Sequence, residues 1–214
     1  MKLLIGTHNP SKLHSMQSNF DPEDSVCCVS PAEMHLTLDI PENARDAQGN
    51  AIQKALAYHR ASGLPTLAED SGLIFLDLPA DHPDQPGVHV RRMLNGHVME
   101  DDDEMLRWYQ QIAHRHGGRL RAAWQDAYCL VLDEDHIHTR TLMPYVFIMT
   151  DQPCSARKAA WPIDSLSICP YNGRYFAEMT LEERKLVHSA AAKDQTESDE
   201  SLRSWLRSLC TNRR

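Results

Sequence analysis

The stretch from Leu67 to Leu73 reads Leu-Ala-Glu-Asp-Ser-Gly-Leu and places two adjacent carboxylates among apolar residues. The short apolar residues on both sides predict a buried strand end, with Glu69 and Asp70 emerging at the edge of a core. Two like charges about 4 Å apart repel by about 4 kcal/mol at an effective dielectric of about 20, so a positive partner is expected. A divalent cation is the simplest one, because Mg²⁺ prefers carboxylate oxygens. The alternative is a turn in which Asp70 caps the backbone and Gly72 supplies a permissive conformation.

The composition is that of an ordinary globular protein. The chain has 214 residues, of which 42% are hydrophobic and 24% charged, so it can bury a sizeable core as one large domain or as one domain with a smaller lobe. The formal net charge of −8 argues against a general binder of nucleic-acid polymers or membrane surfaces. It does not exclude a nucleotide ligand, because local lysines and a metal decide that.

Cysteine usage and hydropathy predict a cytoplasmic location. The six cysteines form no Cys-x-x-Cys pair and follow no regular spacing, so we expect free thiols in a reducing cytosol. The first apolar run, residues 3–5, is too short for a signal peptide. No later apolar run approaches the ~20 residues of a membrane span.

The segment after Leu3–Ile5 has the composition of an anion site. A short apolar strand leads into Gly6–Lys12, which reads Gly-Thr-His-Asn-Pro-Ser-Lys, and a helical pattern follows. Backbone N–H groups and the positive end of a helix face such a loop, and Lys12 adds a charge for phosphate. The alternative is a surface turn whose Thr7 or Asn9 caps the helix.

Several other segments predict regular structure. A strand over 119–132 becomes buried on both sides toward its end, and an amphipathic helix over 201–210 closes the chain. Residues 21–41 have an irregular pattern with three prolines. A helix is predicted over 50–60, and Gly63 is the residue expected to terminate it. Its core face is expected to carry Ile52, Ala55, Leu56 and His59.

Two clusters resemble metal sites but favour a structural interpretation. Asp101–Glu104 is acidic, yet carboxylates stabilise a helix start, and apolar residues follow at helical spacing. His136 and His138 form a His-x-His, yet a hairpin tip explains them better, because no further ligand has a recognisable spacing.

Together, these segments resemble the inosine triphosphate pyrophosphatase family, the enzymes that remove non-standard purine nucleoside triphosphates. Thr7–Lys12 is similar to the family's Thr/Ser-x-Asn-x-x-Lys phosphate loop. Glu42 stands eight residues before Asn50 and twelve before Lys54, the spacing that the family uses between a metal-binding Glu and a phosphate-binding Lys. Ala68–Leu73 looks like the family's Ala-Asp-Asp-Ser-Gly-Leu core.

Further matches continue along the chain and become looser in its second half. Pro86–Val88 with Arg92 looks like the family's Pro-Gly-Val-Tyr-Ser-Ala-Arg. Trp161–Ser165 keeps only an aromatic residue and the Asp of Phe-Gly-Tyr/Trp-Asp-Pro. Arg184 replaces a family Lys, and His188–Ala190 stands where Ser-His-Arg would hold the base.

The resemblance implies an α/β fold with a mixed, elongated central sheet, flanking helices and a cleft between two lobes. It implies a single domain over 1–214, with a smaller lobe within about 74–160. The implied activity is Mg²⁺-dependent hydrolysis of ITP, dITP or XTP to a nucleoside monophosphate and pyrophosphate. A homodimer is also implied, because the family commonly dimerises.

The resemblance also implies roles for individual residues. Glu42, Glu69 and Asp70 would bind Mg²⁺, and Asp70 would accept the proton of the attacking water. Lys12 and Lys54 would act with Asp70 in catalysis. The implied substrate-binding residues are Thr7, Asn9, Lys12, Lys54, Ser71, Arg92, Trp161, Asp164, Arg184 and His188.

Phosphate and metal residues match the family better than base-reading residues do. Ser15 stands where the family's first loop has Glu, and Cys154–Lys158 replaces the glycine-rich approach to the base. Hydrolysis is therefore better supported than purine specificity. Two alternatives stay open: a hydrolase of the same fold for another modified or pathway-specific (deoxy)nucleotide, and a catalytically weak nucleotide-binding or scaffold protein.

Overall fold

The computed structural model describes residues 1–91, 96–158, 161–184, 186–187 and 199–211. The strands are β1 (Lys2–Ile5), β2 (Cys27–Val29), β3 (Thr66–Phe75), β4 (Arg119–Asp133), β5 (His136–Thr150) and β6 (Ser167–Ile168). The helices are α1 (Pro10–Gln17), α2 (Ala47–Ser62), α3 (Asp102–Arg115) and α4 (Asp199–Thr211), with short 3₁₀ helices at Pro162–Ser165 and Phe176–Glu178. Residues 181–184 are also helical.

The strands form one mixed sheet in the order β2-β1-β3-β4-β5-β6. β1 pairs in parallel with β2 and β3, whereas β5 and β6 are antiparallel. The predicted α/β class with a mixed central sheet is therefore confirmed. The irregular structure expected for 21–41 is wrong at Cys27–Val29, because three residues are too few to show a strand period, and their pairing with β1 fixes them.

The acidic start of α3 and the glycine end of α2 follow the sequence signals. The Asp101 side chain accepts the Glu104 N–H at 2.6 Å, so the acidic stretch is a helix start, as predicted. α2 ends at Gly63, whose φ of +67° lies in the left-handed region that suits glycine.

The buried face of α2 differs from the predicted one. Of the predicted core residues only Ala55 is buried, and Ile52, Leu56 and His59 are half-buried. The buried face is rich in alanine, whose small side chain lets a helix pack closely against its neighbours. A face of small residues is therefore buried although larger apolar side chains lie elsewhere on the helix. The buried residues of α2 are Ala47, Asn50, Ala51, Ala55 and Tyr58.

The chain divides into two compact units. The first comprises Met1–Ser71, Asp126–Leu142 and Glu197–Arg214. The second comprises Gly72–Gln125 and Met143–Thr196.

The core of the first unit is built from its strands together with α1 and α4. Leu202, Leu206 and Cys210 of α4 are buried in it, which confirms the predicted amphipathic helix. Ion pairs at the surface also hold α4, because Arg207 bonds Asp24 at 2.8 Å and Asp21 at 2.7 Å.

The core of the second unit surrounds α3, whose Tyr109 is buried and donates to the Val90 carbonyl at 2.9 Å. Gly72 allows a close backbone approach in this unit. A Cβ on Gly72 would lie 2.9 Å from the Gly87 carbonyl oxygen, which accepts the Leu73 N–H. Gly72 lies inside β3, so the alternative turn around Asp70 is wrong.

β4 and β5 form the predicted hairpin, with a turn at Glu134 and Asp135. His136 Nδ1 lies 2.6 Å from Asp133 Oδ1, so this histidine closes the turn. The end of β4, residues 129–132, is buried on both faces, as predicted.

No helix within the described ranges is long and apolar enough to cross a membrane. All six cysteines are free thiols, and Cys129, Cys169 and Cys210 are buried.

Asp24→Asn should lower stability at neutral pH and make stability less sensitive to acid. The hydrogen bond from Arg207, followed by the bond from the Asp21 amide, lowers the pKa of Asp24 below its ordinary value of 3.8. A lowered folded-state pKa stabilises the chain above the unfolded value, and that contribution is lost as pH falls through the folded value. Calorimetric melting temperatures from neutral pH to below about 4 measure the effect.

Glu23→Gln is the matched control, because it removes a carboxylate beside Asp24 and leaves the Arg207 contact intact. It should keep the wild-type acid response. Equal acid responses of wild type and Asp24→Asn would contradict the role of this ion pair.

Candidate active site

Glu69 and Asp70 lie within β3 rather than at its end. They are only 6% and 7% exposed, and the strand continues to Phe75. The parallel partner β1 ends with Ile5 opposite Leu67, so the carboxylates stand two and three residues after the last pair with β1. The predicted strand end is therefore wrong, because it is the pairing with β1 that stops there and not β3.

Asp70 faces α2 and the segment before it. Asp70 Oδ1 lies 2.7 Å from Lys54 Nζ, and Asp70 Oδ2 accepts a hydrogen bond from Asn50 Nδ2 at 3.0 Å. The same Lys54 ammonium lies 2.9 Å from Glu42 Oε1 and donates to the Glu69 carbonyl oxygen at 3.3 Å. One cation is thus shared by two carboxylates that are distant in the sequence.

The pKa of Lys54 is raised above its ordinary value of 10.5, although the side chain is largely buried. Burial is the largest single influence and alone would lower this pKa, but the hydrogen bond and charge of Asp70, followed by those of Glu42, outweigh it. Lys54 is therefore an ammonium at neutral pH. The Glu42 side chain is 51% exposed and the Asp70 side chain 10%, so the cluster opens to solvent on the Glu42 side.

Asn50 is a site residue to which the sequence reasoning gave no role. It is buried, and its two ends are both used: Nδ2 donates to Asp70, and Oδ1 accepts the Ala44 N–H at 2.9 Å. It therefore ties Asp70 to the segment that carries Glu42. The sequence did contain a signal for this role of Asn50. Residues four apart share a helix face, and Asn50 precedes Lys54 by four.

Glu69 has separate partners, because adjacent strand residues point to opposite faces. Lys12 Nζ donates to Glu69 Oε1 at 3.1 Å and to Ser71 Oγ at 3.3 Å. The Ser71 hydroxyl also donates to Glu69 Oε1. Each buried carboxylate of β3 is thus neutralised by its own lysine.

Asn9 caps α1, which confirms the capping interpretation of the 6–12 loop. Its Oδ1 accepts the N–H groups of Ser11 at 2.9 Å and Lys12 at 3.3 Å. Thr7 Oγ1 accepts the Asn9 N–H at 3.1 Å. Because Asn9 occupies two amides of the first helical turn, the phosphate role predicted for this loop now depends on the side chains of Thr7, Asn9 and Lys12.

The carboxylates fit Mg²⁺ in chemical type but not yet in arrangement. Glu42 and Asp70 supply the oxygen ligands that Mg²⁺ prefers, and the Lys54 ammonium between them already places a cation there. Within the described ranges, Glu42, Glu69 and Asp70 do not bring three ligand atoms within 4.8 Å of one another. The physical reason is that Glu69 turns to the other face of β3, toward Lys12.

Trp161, Asp164 and Arg184 belong to the second unit. Arg184 Nη2 lies 2.7 Å from Asp164 Oδ2 and also donates to the Phe176 carbonyl oxygen, and its guanidinium lies 5.6 Å from the Phe176 ring centroid. Trp161 is 52% exposed. Arg92 and His188 lie outside the described residues.

Comparisons with family models, curated proteins and solved structures all find Ham1 proteins or dITP/XTP pyrophosphatases. The model of the Ham1 family matches residues 3–196. A dITP/XTP pyrophosphatase of Hydrogenobaculum sp. is 31% identical over 112 residues, which cover 50% of this chain and 53% of the relative. The chain thus matches about half the length of this relative.

Two other similarities extend over most of the chain. A dITP/XTP pyrophosphatase of Thermus thermophilus is 27% identical over 184 residues, covering 86% of this chain and 84% of the relative. The structure of a HAM1 protein from Coxiella burnetii superposes with a TM-score of 0.73 at 22% identity, covering 96% of this chain and 98% of that protein. This likeness shows a shared fold.

Lys54→Met should lower the free energy of unfolding by about 3 kcal/mol, because it leaves the buried Asp70 carboxylate without its cation. Urea denaturation of the single variants and of Lys54→Met/Asp70→Asn measures this. The double variant should recover part of the loss, since it removes the uncompensated charge.

Lys12→Met is the matched control, because its side chain is 30% exposed against 12% for Lys54. Its loss should be smaller than that of Lys54→Met, because Ser71 still donates to the Glu69 carboxylate and Lys12 pairs with one carboxylate where Lys54 pairs with two. Equal urea midpoints for the two lysine variants would contradict the central position of Lys54.

Proposed function

The chain belongs to the Ham1 family, and from this premise we propose that it is a nucleoside triphosphate pyrophosphatase. Relatives in this family carry the name dITP/XTP pyrophosphatase. The proposed reaction is hydrolysis of a noncanonical purine nucleoside triphosphate, such as ITP, dITP or XTP, to a nucleoside monophosphate and pyrophosphate.

The shared ammonium of Lys54 is the observation that carries this proposal. It lies 2.7 Å from Asp70 and 2.9 Å from Glu42, and a second lysine, Lys12, neutralises Glu69 on the other face of β3. Two buried carboxylates with matched lysines are costly for a purely structural protein. The same set suits a substrate that brings both phosphate anions and a cation, because each charge then gains a partner.

In the proposed mechanism, Lys12 and Lys54 bind the phosphate oxygens, with Thr7 and Asn9 as neighbouring polar contacts. Glu42 and Asp70, with Glu69 nearby, would hold Mg²⁺, which when bound would supply positive charge to offset the phosphate anions. Asp70 accepts a proton from the water that attacks the α-phosphorus. The bond to the α,β-bridging oxygen breaks, and the pyrophosphate leaves with the electron pair.

Asn50 has a positioning role in this proposal. It fixes Asp70 Oδ2 by a hydrogen bond of 3.0 Å, which leaves Oδ1 for Lys54. When the Lys54 ammonium moves to phosphate, Oδ1 is the atom that becomes available. Charge compensation of this preorganised kind supplies much of the rate in phosphoryl transfer.

Base selection is proposed to be weaker or altered relative to the family pattern. The Arg184 guanidinium is already engaged by Asp164 and the Phe176 carbonyl oxygen, which favours a structural role for it. A site that donates a hydrogen bond to a six-position carbonyl would discriminate against ATP, because an unpaired buried donor costs about 1–3 kcal/mol. The sequence His188–Ala190, which stands where the family has Ser-His-Arg to hold the base, supports a second candidate function. This function is hydrolysis of another modified or pathway-specific (deoxy)nucleotide.

A panel of ITP, dITP, XTP, dUTP and ATP with Mg²⁺ tests the reaction and its specificity. Pyrophosphate and monophosphate should form in equal amounts, with several bases accepted. Release of orthophosphate alone, or no turnover of any nucleotide, would refute the pyrophosphatase proposal. A strong preference for ITP with undetectable dUTP turnover would refute altered base selection.

Asp70→Asn should reduce Mg²⁺-dependent pyrophosphate release by at least about 100-fold, because it removes the proton acceptor and a metal oxygen. Glu42→Gln should lower the apparent Mg²⁺ affinity. Asp39→Asn is the control, because Asp39 is an exposed acid three residues before Glu42. An Asp70→Asn variant that folds and keeps most of its turnover would remove Asp70 from the mechanism.

We also propose a cytoplasmic homodimer that binds no nucleic-acid polymer or membrane. The six free thiols support the location, and the net charge of −8 supports the absence of polymer and membrane binding. The homodimer rests on the family resemblance alone. Sedimentation of the purified chain as a monomer at all accessible concentrations would refute the dimer.

A further inference from the structure

A group of two histidines and one aspartate lies in the second unit and includes no residue used in the proposed mechanism. His82 and Asp84 belong to the loop after β3, and His116 is the residue that ends α3. Within the described ranges, these are the three side chains of metal-ligating type whose ligand atoms all lie within 4.8 Å of one another. All three are half-buried.

We propose that His82, Asp84 and His116 bind one divalent transition-metal ion of the zinc class, which fastens the 79–86 loop to the end of α3. Imidazole nitrogens with one carboxylate suit Zn²⁺, Co²⁺ or Ni²⁺. They do not suit Mg²⁺, which prefers oxygen ligands. The site is therefore chemically distinct from the carboxylates at Glu42 and Asp70.

The ligand atoms are already close to coordination spacing. His116 Nε2 lies 2.8 Å from Asp84 Oδ2, and the rings of His82 and His116 meet edge to face with centroids 5.2 Å apart. The Asp84 amide donates to His82 Nδ1 at 3.0 Å, which fixes the His82 ring beside the same carboxylate. Coordination by His116 Nε2 requires this nitrogen without its proton, so bonds to the metal replace the hydrogen bond between His116 and Asp84.

Asp84 is also oriented by a neighbour that is not a ligand. Arg115 Nη2 lies 2.6 Å from Asp84 Oδ1, and Arg115 Nε donates to Asp84 Oδ2 at 3.4 Å, the oxygen that also faces His116. Ligating carboxylates are commonly held by such outer hydrogen bonds. The guanidinium charge opposes a bound cation, so we expect micromolar rather than tighter affinity.

The backbone that carries these residues is held in place independently of any metal. The Gln85 side chain pairs with Phe75 at the end of β3, accepting its N–H at 2.8 Å and donating to its carbonyl oxygen at 2.8 Å. The His116 N–H bonds the carbonyl oxygens of the last turn of α3. Ligands on fixed backbone lose little conformational entropy on binding, which favours coordination.

The test is a titration of the full chain with Co²⁺ and with Zn²⁺, followed by visible absorption and calorimetry. One equivalent should bind with nitrogen ligation, and Zn²⁺ should raise the melting temperature. His82→Gln and His116→Gln should each weaken binding by about 10-fold or more and abolish the thermal shift. His82→Gln is the milder variant, because it leaves the contact between His116 and Asp84 intact.

His114→Gln is the matched control. His114 is also in the last turn of α3, but its side chain is 81% exposed and pairs with Asp151 at 2.8 Å. It should bind Co²⁺ like the wild type, and so should Glu42→Gln. Binding that is equal in wild type and His82→Gln, that is lost only in Glu42→Gln, or that is absent up to about 1 mM metal would overturn the proposal.

X-ray absorption of the Zn²⁺-loaded wild-type chain gives a second readout that needs no variant. Two imidazoles in the zinc coordination shell would support the site. A shell of oxygen atoms alone would overturn it and leave the three residues as an ion-pair network.

Discussion

A single ammonium group between two carboxylates holds the candidate active site together. Without Lys54, the buried Asp70 and the exposed Glu42 would have no cation between them, and the 42–46 segment and β3 would lose a common partner. The lysine is charged because the two anions outweigh the effect of burial on its pKa. The geometry of the site therefore depends on electrostatic compensation as much as on packing.

The alternation of side chains along β3 divides the charges into two sets. Asp70 points to Lys54 and Asn50, and Glu69 points to Lys12 and Ser71. The two sets are linked through the Glu69 carbonyl oxygen, which accepts from Lys54. A phosphate chain has several oxygens along its length, so lysines on the two faces are suited to different parts of one ligand.

Local sequence signals predicted elements well wherever a cap or a period was present. The start of α3 at Asp101, the end of α2 at Gly63 and the amphipathic α4 were all confirmed, because each depends on residues a few positions apart. The resemblance to the inosine triphosphate pyrophosphatase family, which rested on several motifs in order, was confirmed by the match of the Ham1 family model to residues 3–196. β2 was missed because its three residues are strand only by pairing with β1.

The sequence by itself determined the family and the α/β class and supplied the charged residues of the candidate active site, because ordered motifs and helix signals depend on the spacing of nearby residues. Only the tertiary structure decided which face of α2 is buried, that Asn50 joins Asp70 to the Glu42 segment, and that Glu69 and Asp70 turn away from each other. It also brought His82 and Asp84 to His116, across more than thirty positions of sequence. Such contacts depend on how strands and helices pack in three dimensions, and no local pattern encodes that arrangement.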